Sequence, residues 1–180
     1  MQVDQELAQF IGNQLFEFRS VRVSRTEHEN KREIEKQYSL KLKNEVREGL
    51  FLKKVSPEKM GVSATHAWQG DTLSLIVVGS EGPIGVDIEC HSRVVHSKVF
   101  TRITSQNERK WDLDVLEYWV MKEAAFKANL LNRDTCIPDY TLIRWDGVQQ
   151  EGVIQFPFSK QVCKVKLFRI EIWLIAFAVC

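Results

Sequence analysis

Ile84-Gly85-Val86-Asp87-Ile88-Glu89 is a short apolar run that ends with two carboxylates two residues apart. On a strand, positions i and i+2 share a face, so Asp87 and Glu89 look the same way. Two such acids repel, and one is hard to ionise unless a cation sits beside them. The stretch Trp119-Val120-Met121-Lys122-Glu123-Ala124-Ala125-Phe126-Lys127 is helical in pattern. It adds Glu123, with Lys127 one turn further on. A strand-end acid pair plus a helix-borne acid suits a hard divalent cation such as magnesium, shared with substrate phosphate oxygens. Read alone, Glu123 and Lys127 would be an ordinary i,i+4 ion pair. The acids upstream argue for a site.

Working outward, Leu73–Val78 and Ile84–Glu89 are β-rich runs separated by Gly79-Ser80-Glu81-Gly82-Pro83, and Gln69-Gly70-Asp71-Thr72 marks another turn. Val62–Ala67 leads into His66, so this hairpin ladder places His66 near the strand that carries Asp87. A helix is expected over Val115–Asn129. On it Trp119, Glu123, Phe126 and Lys127 share one side, and Leu116, Val120 and Ala124 form an adjacent apolar stripe. Ser105 with Glu108 has the capping-box spacing, which predicts a helix opening at Gln106.

Further upstream, Leu7, Phe10, Ile11, Leu15 and Phe18 recur at helical spacing and predict a helix over Asp4–Phe18. Ser24 and Glu27 form a capping-box signature before a second helix over Glu27–Glu48, with Gly49 placed to stop it. Leu50–Val55 reads as a short strand. Downstream, Tyr140–Trp145, Gly152–Phe158, Val162–Phe168 and Ile172–Val179 read as strands, the last so apolar that it belongs inside a sheet. The segment 128–134 after Lys127 has no glycine, so any left-handed residue there would fall to Asn129 or Asn132.

Composition sets limits. The chain has 180 residues, 44% hydrophobic and 27% charged, with a net charge of +1. That balance gives no electrostatic drive toward nucleic acid. Cys90, Cys136, Cys163 and Cys180 show no paired spacing of the zinc or disulfide-framework kind. The N-terminal stretch lacks the profile of a signal peptide, and the apolar run Ile172–Cys180 is too short to span a bilayer. A cytoplasmic protein that does not engage membranes is expected.

The runs Gly85-Val86-Asp87-Ile88-Glu89 and Trp119, Lys122, Glu123, Ala124, Lys127 resemble the two hallmark motifs of the 4′-phosphopantetheinyl transferase superfamily. A third, Ser63-Ala64-Thr65-His66-Ala67, is similar to its Ser-rich turn with a histidine, although Thr65 and Ala67 replace serines. The resemblance implies an α+β fold of the 4′-phosphopantetheinyl transferase type, with two pseudo-related α+β halves and an abbreviated N-terminal one. The boundary is expected near residue 80: 1–80 contributing to coenzyme A binding, and 81–180 carrying the metal site. Because Asp87 lies mid-chain, the fused, monomeric type is expected rather than the short trimeric one.

The resemblance also implies the chemistry. Magnesium would be held by Asp87, Glu89 and Glu123, and the phosphopantetheine of coenzyme A would pass to a serine of an apo acyl or peptidyl carrier protein. The products would be holo carrier and adenosine 3′,5′-bisphosphate. Glu123 and Lys127 are the catalytic candidates; Thr65, His66, Lys122, Arg25 and Lys31 are the coenzyme A candidates. Arg25 and Lys31 have a plainer reading as part of a solvated helix face threaded with Glu27, Glu29, Glu33 and Glu35. Two rivals remain at this level. One is a binding protein that holds coenzyme A or carriers without turnover. The other is a metal-dependent nuclease using Pro83, Asp87 and Glu108-Arg109-Lys110, although that class places its second acid on a strand.

Overall fold

Two central strands organise the molecule, β3 (Thr72–Glu81) and β8 (Trp173–Val179), both buried along most of their length. In the computed structural model, which describes residues 2–12 and 14–180, each is the covered strand of an antiparallel sheet. The first sheet has the order β1-β3-β2, with β1 at Phe16–Ser24 and β2 at Met60–Gln69. The second has the order β4-β8-β7-β6-β5, with β4 at Ile84–Cys90, β5 at Thr141–Asp146, β6 at Glu151–Gln155 and β7 at Val162–Ile170. The fold is α+β, as the sequence indicates. The first sheet is drawn from residues 16–81 and the second from 84–179.

Helices cover the outer faces. α2 (Lys31–Leu52) lays Ile34, Leu42, Val46 and Leu50 on Leu73, Leu75 and Val77 of the first sheet. α4 (Val115–Ala128) lays Val120, Met121, Ala124 and Ala125 on Leu167, Leu174, Ala176 and Ala178 of the second. Between the sheets lies a third apolar cluster of Ile76, Val78, Val86, Ile88 and Phe177, joined by Leu7 and Ile11 of α1 (Gln2–Ile11).

The sheets meet at two edge strands. The Val86 amide donates to Ser63 Oγ at 3.1 Å, and the Ile88 amide donates to Thr65 Oγ1 at 3.2 Å. Residue numbers climb together along the pair, so β2 and β4 run parallel, stitched by hydroxyls rather than by a backbone ladder. Buried amides of an edge strand need such partners.

Several elements differ from expectation. The helix expected over Asp4–Phe18 ends at Ile11, where Gly12 takes φ +72°, and β1 follows. Asn13, inside that expected helix, lies outside the described residues, as does Met1. Leu15 and Phe18 satisfy helical spacing, yet Phe16–Ser24 pairs residue for residue with β3, and tertiary pairing overrides the local pattern. The second helix opens later, capped by Asn30, whose side chain accepts from the Arg32 amide at 2.9 Å; Ser24 closes β1 instead.

Gly49 does not stop α2. It lies inside the helix, where a Cβ would stand 2.6 Å from Glu17 Cδ, so its lack of a side chain makes room for β1. The expected strand over Leu50–Val55 is therefore the helix end and a turn at Lys54, φ +64°. No helix opens at Gln106; the Ser105–Glu108 hydrogen bonds close a turn. A short helix absent from the sequence reading, α3 (Ser97–Ile103), precedes it. Neither Asn129 nor Asn132 adopts the left-handed conformation. Their side chains shape the loop instead, Asn129 Oδ1 accepting from the Leu131 amide and Asn132 donating to the Phe126 carbonyl, both at 2.9 Å.

Candidate active site between β4 and α4

The site is set by how closely α4 lies on β4. A Cβ at Gly85 would run into the Ala124 carbonyl oxygen and come within 2.8 Å of the Ala128 nitrogen. Only glycine permits this approach. α4 begins at a reciprocal cap: Asp114 accepts from the Glu117 amide and Glu117 from the Asp114 amide, each at 2.8 Å. Its motif face runs antiparallel to β4. Gly85 lies under Ala124 and Ala128, and Asp87 lies beside Glu123 and Lys127.

Asp87 is the centre of the cluster, with only 3% of its surface exposed. Its Oδ1 accepts from Lys127 Nζ at 2.7 Å and from the Thr65 hydroxyl at 2.9 Å. Lys127 also donates to the Val86 carbonyl at 3.3 Å and reaches Glu123 Oε1 at 3.3 Å. Burial is the main reason that Asp87 is pushed up to about 6 from its ordinary 3.8. Glu123 adds to the rise, while Lys127 and Thr65 oppose it without offsetting it. Asp87 Oδ2 is buried and has no hydrogen-bond partner among the described residues.

Glu89 takes the same face of β4 and pairs with Arg93, whose guanidinium stands 5.9 Å over the Trp119 ring. Among the described residues no three His, Cys, Asp or Glu side chains are gathered tightly enough to form a ready metal cluster. Lys127 and Arg93 stand against the acids instead. The donor set still fits a hard cation. It consists of carboxylate oxygens from a strand and a helix, one of them a buried oxygen with no hydrogen-bond partner among the described residues.

The coenzyme A candidates divide into three places. Thr65 belongs to the cluster through Asp87. His66, next along the strand, faces the other way, and its Nε2 lies 3.2 Å from Glu35 on α2. Trp68, two residues on and so on the same face, also donates to Glu35. Lys31 lies 4.7 Å over the Trp68 ring and donates to the Gly70 carbonyl at 2.9 Å. Arg25 grips Asp71 at 2.6 Å. His66, Lys31 and Arg25 thus stand together beside α2, apart from the acids.

Lys122 is a correction. One residue from Glu123 is about 100° around a helix, which turns Lys122 into the core, 1% exposed. There it pairs with Glu108 at 2.8 Å and donates to the Ile103 carbonyl. It does not reach the cluster and is not available to coenzyme A. Glu108, whose spacing from Ser105 predicts a helix cap, is its buried partner and also accepts from the Leu142 amide at 2.8 Å. The same burial removes the Glu108-Arg109-Lys110 basis of the nuclease reading. The sequence assigns no partner to Ser63 or Glu35, although strand alternation puts 63 with 65 on one face and 66 with 68 on the other.

Residues 83–161 match the family model of the 4′-phosphopantetheinyl transferase superfamily. That stretch holds Asp87, Glu89, Glu123 and Lys127, and it begins after the first sheet. Over that segment the chain is similar to a 4′-phosphopantetheinyl transferase superfamily domain, and the match supports a phosphopantetheine transferase role. No curated protein matches the chain significantly. Among the described residues, no helix is long and apolar enough to cross a membrane.

Proposed function

We propose that this chain moves the 4′-phosphopantetheine arm of coenzyme A onto a serine hydroxyl of an apo acyl or peptidyl carrier protein. The observation that carries the reading is the Asp87–Lys127–Glu123 cluster, a buried strand acid and a helix acid sharing one lysine. Asp87, Glu89 and Glu123 would hold a magnesium ion, whose charge would offset that building on the pyrophosphate oxygens. Glu123 accepts the serine proton, directly or through water, as the serine oxygen bonds to phosphorus. The bond from phosphorus to the adenosine 3′,5′-bisphosphate oxygen breaks, and Lys127 stabilises the departing charge. Thr65 holds Asp87 in place, and His66, Lys31 and Arg25 bind coenzyme A phosphate groups at the α2 side. We take the protein to work as a cytoplasmic monomer of two halves, 1–80 and 81–180.

The test is intact-mass measurement of a carrier protein after incubation with the purified chain, magnesium and coenzyme A. One phosphopantetheine should be added to one serine, and neither a serine-to-alanine carrier nor a chelated reaction should gain mass. Unmodified carriers of both fatty-acid and peptide-synthetase type, with coenzyme A still bound tightly, would establish a binding protein instead.

A further inference from the structure

On the face of β4 opposite Asp87, the inner faces of the two sheets enclose a cleft of about 410 Å³. That is within the size range of small-molecule sites. Its lining is graded from end to end. At one end Arg22 pairs in register with Ser74, and Trp173 stands across from them on β8. The middle is aliphatic, with Ile76 and Ile175. The far end is closed by Phe18 and Phe177, whose rings bridge the sheets with centroids 6.1 Å apart.

The polar end is incompletely bonded. Ser74 is 6% exposed and Trp173 3%, yet Ser74 Oγ and Trp173 Nε1 have no hydrogen-bond partner among the described residues. An indole N–H can only donate, and a hydroxyl can donate too, so this end calls for an acceptor. Buried polar groups left unpaired are uncommon and ask for a reason. Among the described residues Arg22, at the rim, pairs with Glu171 at 3.2 Å, and both side chains are more than half exposed. Such a pair exchanges partners at little cost.

We propose that the cleft binds a small monocarboxylate with an apolar body, such as a medium-chain alkanoate. Its carboxylate accepts from Trp173 Nε1 and Ser74 Oγ and faces Arg22; its tail runs toward Phe18 and Phe177. Side chains alternate along β4, so Ile88 lines this cleft while Asp87 serves the other face, and the proposal does not depend on the transfer reaction.

The probe is decanoate, with decanol as its uncharged twin, titrated calorimetrically into the full chain. Decanoate should bind saturably with one site, and decanol at least fivefold more weakly. Trp173→Phe and Arg22→Gln should each weaken decanoate at least fivefold, and Ile76→Trp should abolish binding by filling the cleft. In the unaltered protein, the decanoate methyl should show nuclear Overhauser contacts to the Phe18 and Phe177 rings, a readout that stands even if a variant fails to fold. Absence of saturable binding below millimolar concentration overturns the proposal. So does equal affinity for decanol, or binding without those ring contacts.

Discussion

Lys127 Nζ stands 2.7 Å from Asp87 Oδ1 and 3.3 Å from Glu123 Oε1, one cation shared between the strand acid and the helix acid. Even so, burial keeps Asp87 up at about 6. Between its ordinary 3.8 and about 6, the folded protein holds a proton on Asp87 that the unfolded chain has released. Folding stability therefore falls as pH rises through that window. The loss is on the order of 3 kcal/mol. In metal-free buffer Asp87→Asn should raise the melting temperature at pH 7 and leave it nearly unchanged at pH 4. Equal shifts at both pH values would mean that Asp87 does not carry this linkage.

Lys127 and His66 occupy different places and should fail differently when removed. If Lys127 acts on the leaving group as proposed, Lys127→Ala removes stabilisation of the departing bisphosphate charge, so kcat should fall by two orders of magnitude or more, as about 3 kcal/mol implies. His66→Ala should instead raise KM for coenzyme A several-fold with kcat little changed. Steady-state kinetics separates the two, and matching small losses would make both residues structural.

Gly85 tests the architecture. Gly85→Ala sets a methyl group against the backbone of α4, which cannot swing aside as a side chain would. Stability should drop by about 3 kcal/mol or more. Denaturant titration with unchanged midpoint would show that α4 does not rest on β4 as described.

The Lys122–Glu108 pair is structural. Lys122→Ala leaves the buried Glu108 carboxylate without its counter-charge, with the Ser105 and Leu142 amides still donating to it, at a cost of about 3 kcal/mol. The double change Lys122→Met with Glu108→Gln should recover part of that loss, and KM for coenzyme A in the double variant should stay at its original value. A raised KM in a well-folded double variant would return Lys122 to the binding site.

What the sequence disclosed follows from which interactions were local. β4 and α4 are legible because alternation and helical spacing put Asp87 and Glu123 on definite faces, and β8 because the unbroken apolar run Trp173–Val179 leaves few other readings. β1 was not legible, since Leu15 and Phe18 suit a helix as well as a strand and only pairing with β3 decides. The Lys122–Glu108 contact was hidden for a different reason. Its partners are fourteen residues apart on different elements, and the capping-box spacing of Glu108 supplied a sufficient local explanation. His66 and Thr65 fall within one motif, but a strand separates neighbours, and they serve different faces.

The β2–β4 seam has a further consequence. Two hydroxyls, Ser63 and Thr65, do there what a continuous ladder does inside each sheet. A seam held by side chains leaves each sheet complete in its own pairing on either side of the short link Gly82-Pro83. Cut there, the chain becomes two pieces, each with an uninterrupted sheet and its own covering helix. Expressed separately, those pieces should find each other through the shared apolar layer and rebuild the Thr65–Asp87 contact without a covalent bond between them.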